Sequence, residues 1–75
     1  MGRLAGFSDQ EVRRVAELAG WEFQRVNGDH FVFKKAGAFH NLSIPDHREV
    51  KEALMRRLVR DMGLTVEEFL EKAKK

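Results

Sequence analysis

A chain of 75 residues, 43% hydrophobic and 35% charged, has the balance of a small folded protein, which excludes a disordered tail. Fourteen Lys and Arg against twelve Asp and Glu leave a net charge of +2, a slight lean toward anionic partners. Folding at this length buries only about 60% of the unfolded surface, which excludes a deep internal active site and puts any chemistry on a surface or in a shallow groove.

Cysteine is absent, so disulfides and thiolate metal sites are excluded, and a cytoplasmic protein is the expectation. No apolar run approaches the ~20 residues of a membrane span, and no signal-peptide pattern opens the chain. One domain over residues 1–75 is expected.

In chain order, Ser8 and Glu11 form a capping box that starts a helix, with Phe7 set to pack on Val12. Val12, Val15, Ala16 and Ala19 share one helical face, and Gly20 is the stop signal. Trp21 to Val26 reads as a strand, Asn27-Gly28 as a tight turn and His30 to Lys35 as a second strand. After a turn at Ala36-Gly37, a third strand runs from Ala38 to Ile44 and ends at Pro45. Asp46 and Glu49 repeat the capping pattern and start a helix striped by Val50, Leu54, Leu58 and Met62, which Gly63 stops. Thr65 and Glu68 open a short final helix with Phe69, Leu70 and Ala73 inside. The fold class is α+β: α-β-β-β-α with a short C-terminal helix, and a three-stranded antiparallel sheet covered by helices on one face. The other face is open to a substrate.

Strand register decides where His30 points. A two-residue loop at Asn27-Gly28 would set Phe23 opposite Val32. A three-residue loop, Asn27 to Asp29, sets Val26 opposite His30, Arg25 opposite Phe31 and Phe23 opposite Phe33. The second register gathers Trp21, Phe23, Phe31 and Phe33 on one face, so the hydrophobic pattern selects it. His30 then lies on the solvent face with Glu22, Gln24, Val26, Val32 and Lys34. His40, in step with Leu42 and Ile44, belongs at the edge of the core. His47 falls in the first turn of the second long helix.

A surface histidine is ordinarily only a solvated side chain, but this one keeps useful company. Cleaving RNA through its own 2′-hydroxyl needs a proton taken from that oxygen, charge stabilised at phosphorus and a proton given to the leaving group. An imidazole can do either proton transfer and Lys or Arg can meet the charge. His30 with Lys34 on the same strand face meets that requirement, and Lys35 or Arg25 can assist from the sheet edge. Asp29, His30, His40 and His47 lack a recognisable metal-ligand spacing, so no metal site and no cofactor is expected. No nucleophile motif, phosphate-binding glycine loop or carboxylate pair is present. Acidic residues interrupt the basic second helix, which reads as a solvated face with internal ion pairs.

The run LAGWEFQRVNGDHFVFKK, followed by LSIPDH and a closing MGLTVEEFLEK, resembles the HicA (YcfA-like) toxin family of toxin–antitoxin pairs over about Ser8 to Leu70. The resemblance implies an mRNA interferase with a fold like double-stranded-RNA-binding domains, one essential histidine after a Gly-Ser pair, and a HicB antitoxin as partner. Carried onto this chain, Gly28 is the motif glycine and His30 the catalytic histidine, while Pro45 and His47 match a Pro-x-His segment of structural or peripheral role. Asp29 departs from the family's serine and puts a carboxylate beside the imidazole. The Gly-Thr pair that commonly opens the second long helix is missing. The expected function is therefore a metal-independent endoribonuclease toxin acting on mRNA, with Lys34 meeting phosphate charge and Lys35 and Gln24 as further substrate contacts. A non-catalytic RNA-binding module of the same fold is the alternative, with a domain that only binds a partner protein as a third reading.

Overall fold

Helix boundaries here are set by side chains that satisfy the free ends of the backbone. In the computed structural model, which describes residues 3–74, α1 spans Asp9–Leu18, β1 Glu22–Asn27, β2 His30–Lys34, β3 Leu42–Pro45, α2 Glu52–Asp61 and α3 Val66–Ala73. At the start of α1 the Glu11 amide donates to Ser8 Oγ over 3.3 Å, and the Ser8 amide donates to Glu11 Oε1 over 2.9 Å. Thr65 and Glu68 repeat the exchange at α3. Gly20 ends α1 with φ +95°, and two bonds, from Trp21 N to the Ala16 carbonyl and from Gly20 N to that of Glu17, close the helix as a Schellman motif. A Cβ at Gly20 would also lie 3.3 Å from Lys35 Cε. Gly20→Ala is expected to destabilise the protein by about 1–2 kcal/mol, read as a lower urea midpoint at unchanged slope.

The sheet is antiparallel with strand order β1-β2-β3. Phe33, Leu42 and Ile44 leave its inner face and bury themselves with Val12, Val15 and Ala16 of α1, Met55 and Leu58 of α2 and Phe69 of α3. Helix, three-stranded sheet and two further helices follow in the expected order, with the helices on that one side. Trp21 lies in the same core, where its indole N–H donates to the Met62 carbonyl over 3.2 Å and so is not left unpaired. Among the described residues no helix is long and apolar enough to cross a membrane.

Three local expectations are corrected. The third strand begins at Leu42, not Ala38, because the chain leaves the sheet after Lys34, and the ladder with β2 starts at Phe33↔Leu42. The second long helix begins at Glu52, with Lys51 at its cap and no side-chain capping bond. Residues 46–50 are instead stitched to other elements: Asp46 N donates to the Asp29 carbonyl, Asp9 N to that of His47 and Val50 N to that of Phe7. Tertiary backbone pairing has overridden the Asp46/Glu49 pattern, and His47 is a loop residue.

The third correction concerns register. The β1–β2 loop is Gly28-Asp29, flanked by the pair Asn27↔His30. Gly28 has φ +65° and no other residue type takes a positive φ among the described residues, which matches a type II′ turn with glycine first. Val26 then faces Phe31 and Arg25 faces Val32, one step from the expected Val26–His30 and Arg25–Phe31 pairs. Phe23↔Phe33 holds as expected because a bulge at Gln24 absorbs the extra residue. The bulge moves Val26 to the helix side and brings Arg25 to the open side.

Candidate active site

His30 owes its placement to the turn before it and the strands on both sides. Gly28 lets the chain reverse, and His30 is the first residue of the central strand, paired with Asn27 on β1 and Pro45 on β3. Its backbone is therefore held from two sides, while its side chain stays 47% exposed on the open face. A residue so placed presents its imidazole to an incoming chain without a large conformational search.

Asp29 Oδ1 lies 3.0 Å from His30 Nδ1, a distance suited to an ion pair when the ring is protonated. The Asp29 carbonyl accepts from Asp46 N over 2.7 Å, so this corner of the turn is tied to the segment after β3. With the carboxylate on the Nδ1 side, Nε2 is the ring nitrogen without a protein partner among the described residues.

Lys34 stands four residues along the same strand, on the same face as His30 and Val32 because side chains alternate. Arg25 faces Val32 across the ladder and so lies beside the line from His30 to Lys34. Neither cation joins an ion pair among the described residues. The open face thus holds one imidazole and two uncommitted cations. Chemically, that set can move one proton and compensate the charge of a phosphate.

The other expected contacts lie elsewhere. Gln24 sits at the bulge with its amide turned back to the carbonyls of Glu22 and Phe23, at 3.4 and 3.3 Å. Lys35 follows the last residue of β2, and its side chain lies over Gly20 just after α1. Pro45 is buried beside His30 in the ladder, while His47 is exposed in the following loop. His40 is exposed yet borders the core as expected: its Nε2 donates to the Asp61 carbonyl over 2.9 Å and its ring lies 5.9 Å from that of buried Trp21. Asp29, His30, His40 and His47 do not gather, and no cluster of three or more metal-ligating side chains occurs among the described residues.

Arg25 is the member of this face that alternation misplaced. Its signal was the spacing of three between Phe23 and Val26, two apolar residues that a one-residue bulge puts on the same side. A surface cleft of about 430 Å³ lies on the helix side between α1 and the strands β1 and β2. There the Arg13 guanidinium stacks 4.0 Å over Phe31 and pairs with the buried Asp9 at 3.1 Å, a packing arrangement that leaves the site to the open face.

Residues 10–64 match the family described as the HicA toxin of bacterial toxin-antitoxin. No match to a curated protein was found. The matched span runs from the second residue of α1 to the turn after α2, and includes the whole sheet, His30, Lys34 and Arg25. Because it covers well over half of the 75 residues, the chain belongs to the HicA toxin family of bacterial toxin–antitoxin systems.

Proposed function

We propose that this toxin is an endoribonuclease that cleaves mRNA in the cytoplasm, that residues 1–75 act as one domain, and that a HicB-like antitoxin neutralises it by covering the His30 face. The observation that carries the reading is His30, held between two strands with its side chain exposed and with Lys34 and Arg25 on the same face. RNA supplies the nucleophile. The 2′-oxygen attacks phosphorus, the bond to the 5′-oxygen breaks, and the proton lost from the first oxygen is matched by one gained at the second. His30 serves as general acid or base for one of these transfers. Arg25, which faces Val32 two residues from His30, stabilises the charge on the non-bridging oxygens, and Lys34 at the far end of the strand meets phosphate charge farther along the RNA. Lys35 and Gln24 meet the RNA farther along. No metal or organic cofactor enters the scheme.

The products are a 2′,3′-cyclic phosphate and a 5′-hydroxyl. Purified toxin is expected to cleave single-stranded RNA in the presence of a chelator and to leave the same strand intact when the scissile ribose is 2′-deoxy. Cleavage of the deoxy strand would remove the 2′-oxygen mechanism. In cells, induction is expected to arrest growth with loss of mRNA, relieved by co-expression of the antitoxin. A non-catalytic RNA-binding module, the reading favoured by the cations alone, would show salt-sensitive binding with no cyclic-phosphate product.

A further inference from the structure

Phe39 stands out against everything the site explains. It sits in the connection between β2 and β3 and is fully exposed, at 103% of the reference surface, beyond Leu18, Phe23 and Val26, which are each about half exposed. Its neighbours on both sides are anchored. Ala38 packs against the core and its amide donates to the Lys35 carbonyl over 3.1 Å, in a turn that uses Gly37 at φ +85°. His40 on the other side is fixed to the Asp61 carbonyl at 2.9 Å. The ring also stands at the rim of a cleft of about 330 Å³ lined by Trp21, Lys35, His40 and Arg60. The loop therefore holds a bare aromatic ring in water beside a hollow.

The surroundings of that ring are cationic. Lys35 and Arg60 line the same cleft, and neither takes part in an ion pair among the described residues. Asp61, the acidic residue of the rim, faces Arg57 at 3.9 Å. A protein partner of ordinary affinity buries about 800 Å² on each side, and a lone ring among charges does not offer such a patch. A flat apolar surface joined to negative charge suits it better, and that is the chemistry of an unpaired nucleotide. Duplex RNA keeps its base faces stacked and would not use the ring.

We propose that Phe39, with Lys35 and Arg60, binds an unpaired nucleotide of the RNA, its base stacked on the ring and its phosphate met by the two cations. The inference rests on the RNA reading above and adds a second contact region to it. His30 and Lys34 lie at opposite ends of β2, about 13 Å apart, and Phe39 follows beyond Lys34. The cleft lies past the Lys34 end of β2, beside Trp21 and the C-terminal end of α2, so a strand that passes His30 and Lys34 and then runs over that end of the sheet would meet Phe39 next. Lys35 thus belongs to this region and not to the cleavage site.

The test is binding of a fluorescein-labelled, fully 2′-O-methylated single-stranded RNA, which has no 2′-hydroxyl to react, followed by anisotropy. Phe39→Ala is expected to weaken binding about 10- to 100-fold. Phe39→Trp should bind as tightly as wild type, and Phe39→Leu should resemble Phe39→Ala. The same RNA annealed to its complement should respond to none of these changes. Thermal midpoints of the Phe39 variants should match wild type, since the side chain packs on nothing. Equal binding by wild type and Phe39→Ala, or by the Leu and Trp variants, would overturn the proposal while leaving the nuclease reading standing. Weaker capture of the co-expressed antitoxin with RNA binding intact would make the ring a protein anchor and overturn it too. Wild-type protein that neither binds nor cleaves RNA would instead overturn the RNA reading itself.

Discussion

Replacing His30 with alanine is expected to slow RNA cleavage by about 10²- to 10⁴-fold, the usual contribution of one positioned proton donor or acceptor. Stability should move by no more than about 0.5 kcal/mol, because the side chain is 47% exposed and makes no packing contact within the core cluster. Turnover on labelled RNA and a urea melt on the same preparation measure the two quantities together. In cells the same substitution should abolish growth arrest while the protein still accumulates. Full cleavage by a folded His30→Ala protein would remove this histidine from the mechanism, and attention would pass to Lys34 and Arg25 as binding residues only.

Phe33→Ala should have the opposite signature, a loss of stability in which activity follows only because the fold is lost. Phe33 is 1% exposed on the central strand, paired with Phe23 on one side and Leu42 on the other. Its ring also meets Phe23 edge-on at 5.6 Å. Truncating a buried phenylalanine costs about 3–5 kcal/mol. A domain of this size has only about 4–11 kcal/mol in total. The variant should therefore show a greatly lowered urea midpoint or no folded baseline at all by circular dichroism. A shift of less than about 1 kcal/mol would mean that the cavity collapses or that Phe33 is not central to the core. Run beside His30→Ala and Phe39→Ala, it separates three causes of lost toxicity: missing chemistry, weaker binding and unfolding.

Much of this fold was legible because it depends on neighbours in the chain. The capping boxes at Ser8 and Thr65 and the glycine stops at Gly20 and Gly63 are short-range bonding problems with short-range solutions, and each formed as expected. Alternation placed His30 and Lys34 on one face, since both lie on one strand without a bulge between them. It misplaced Arg25, because a bulge at Gln24 is settled by packing Phe23 and Val26 on the same side across two strands. Phe39 was hidden for a related reason: residues 38–41 alternate like a strand, yet the bond from His40 to the Asp61 carbonyl draws them out of the sheet.

The sequence by itself determined the order of elements, where α1 begins and ends, where α3 begins, and the strand that carries the histidine. Tertiary structure alone decided that Asp46 does not start a helix, that Arg25 joins His30 and Lys34, and that Phe39 stands free. A local cap contributes about 1 kcal/mol. That is too little to hold its form where backbone bonds from Asp9 and Val50 and the burial of Val50 compete for the same residues.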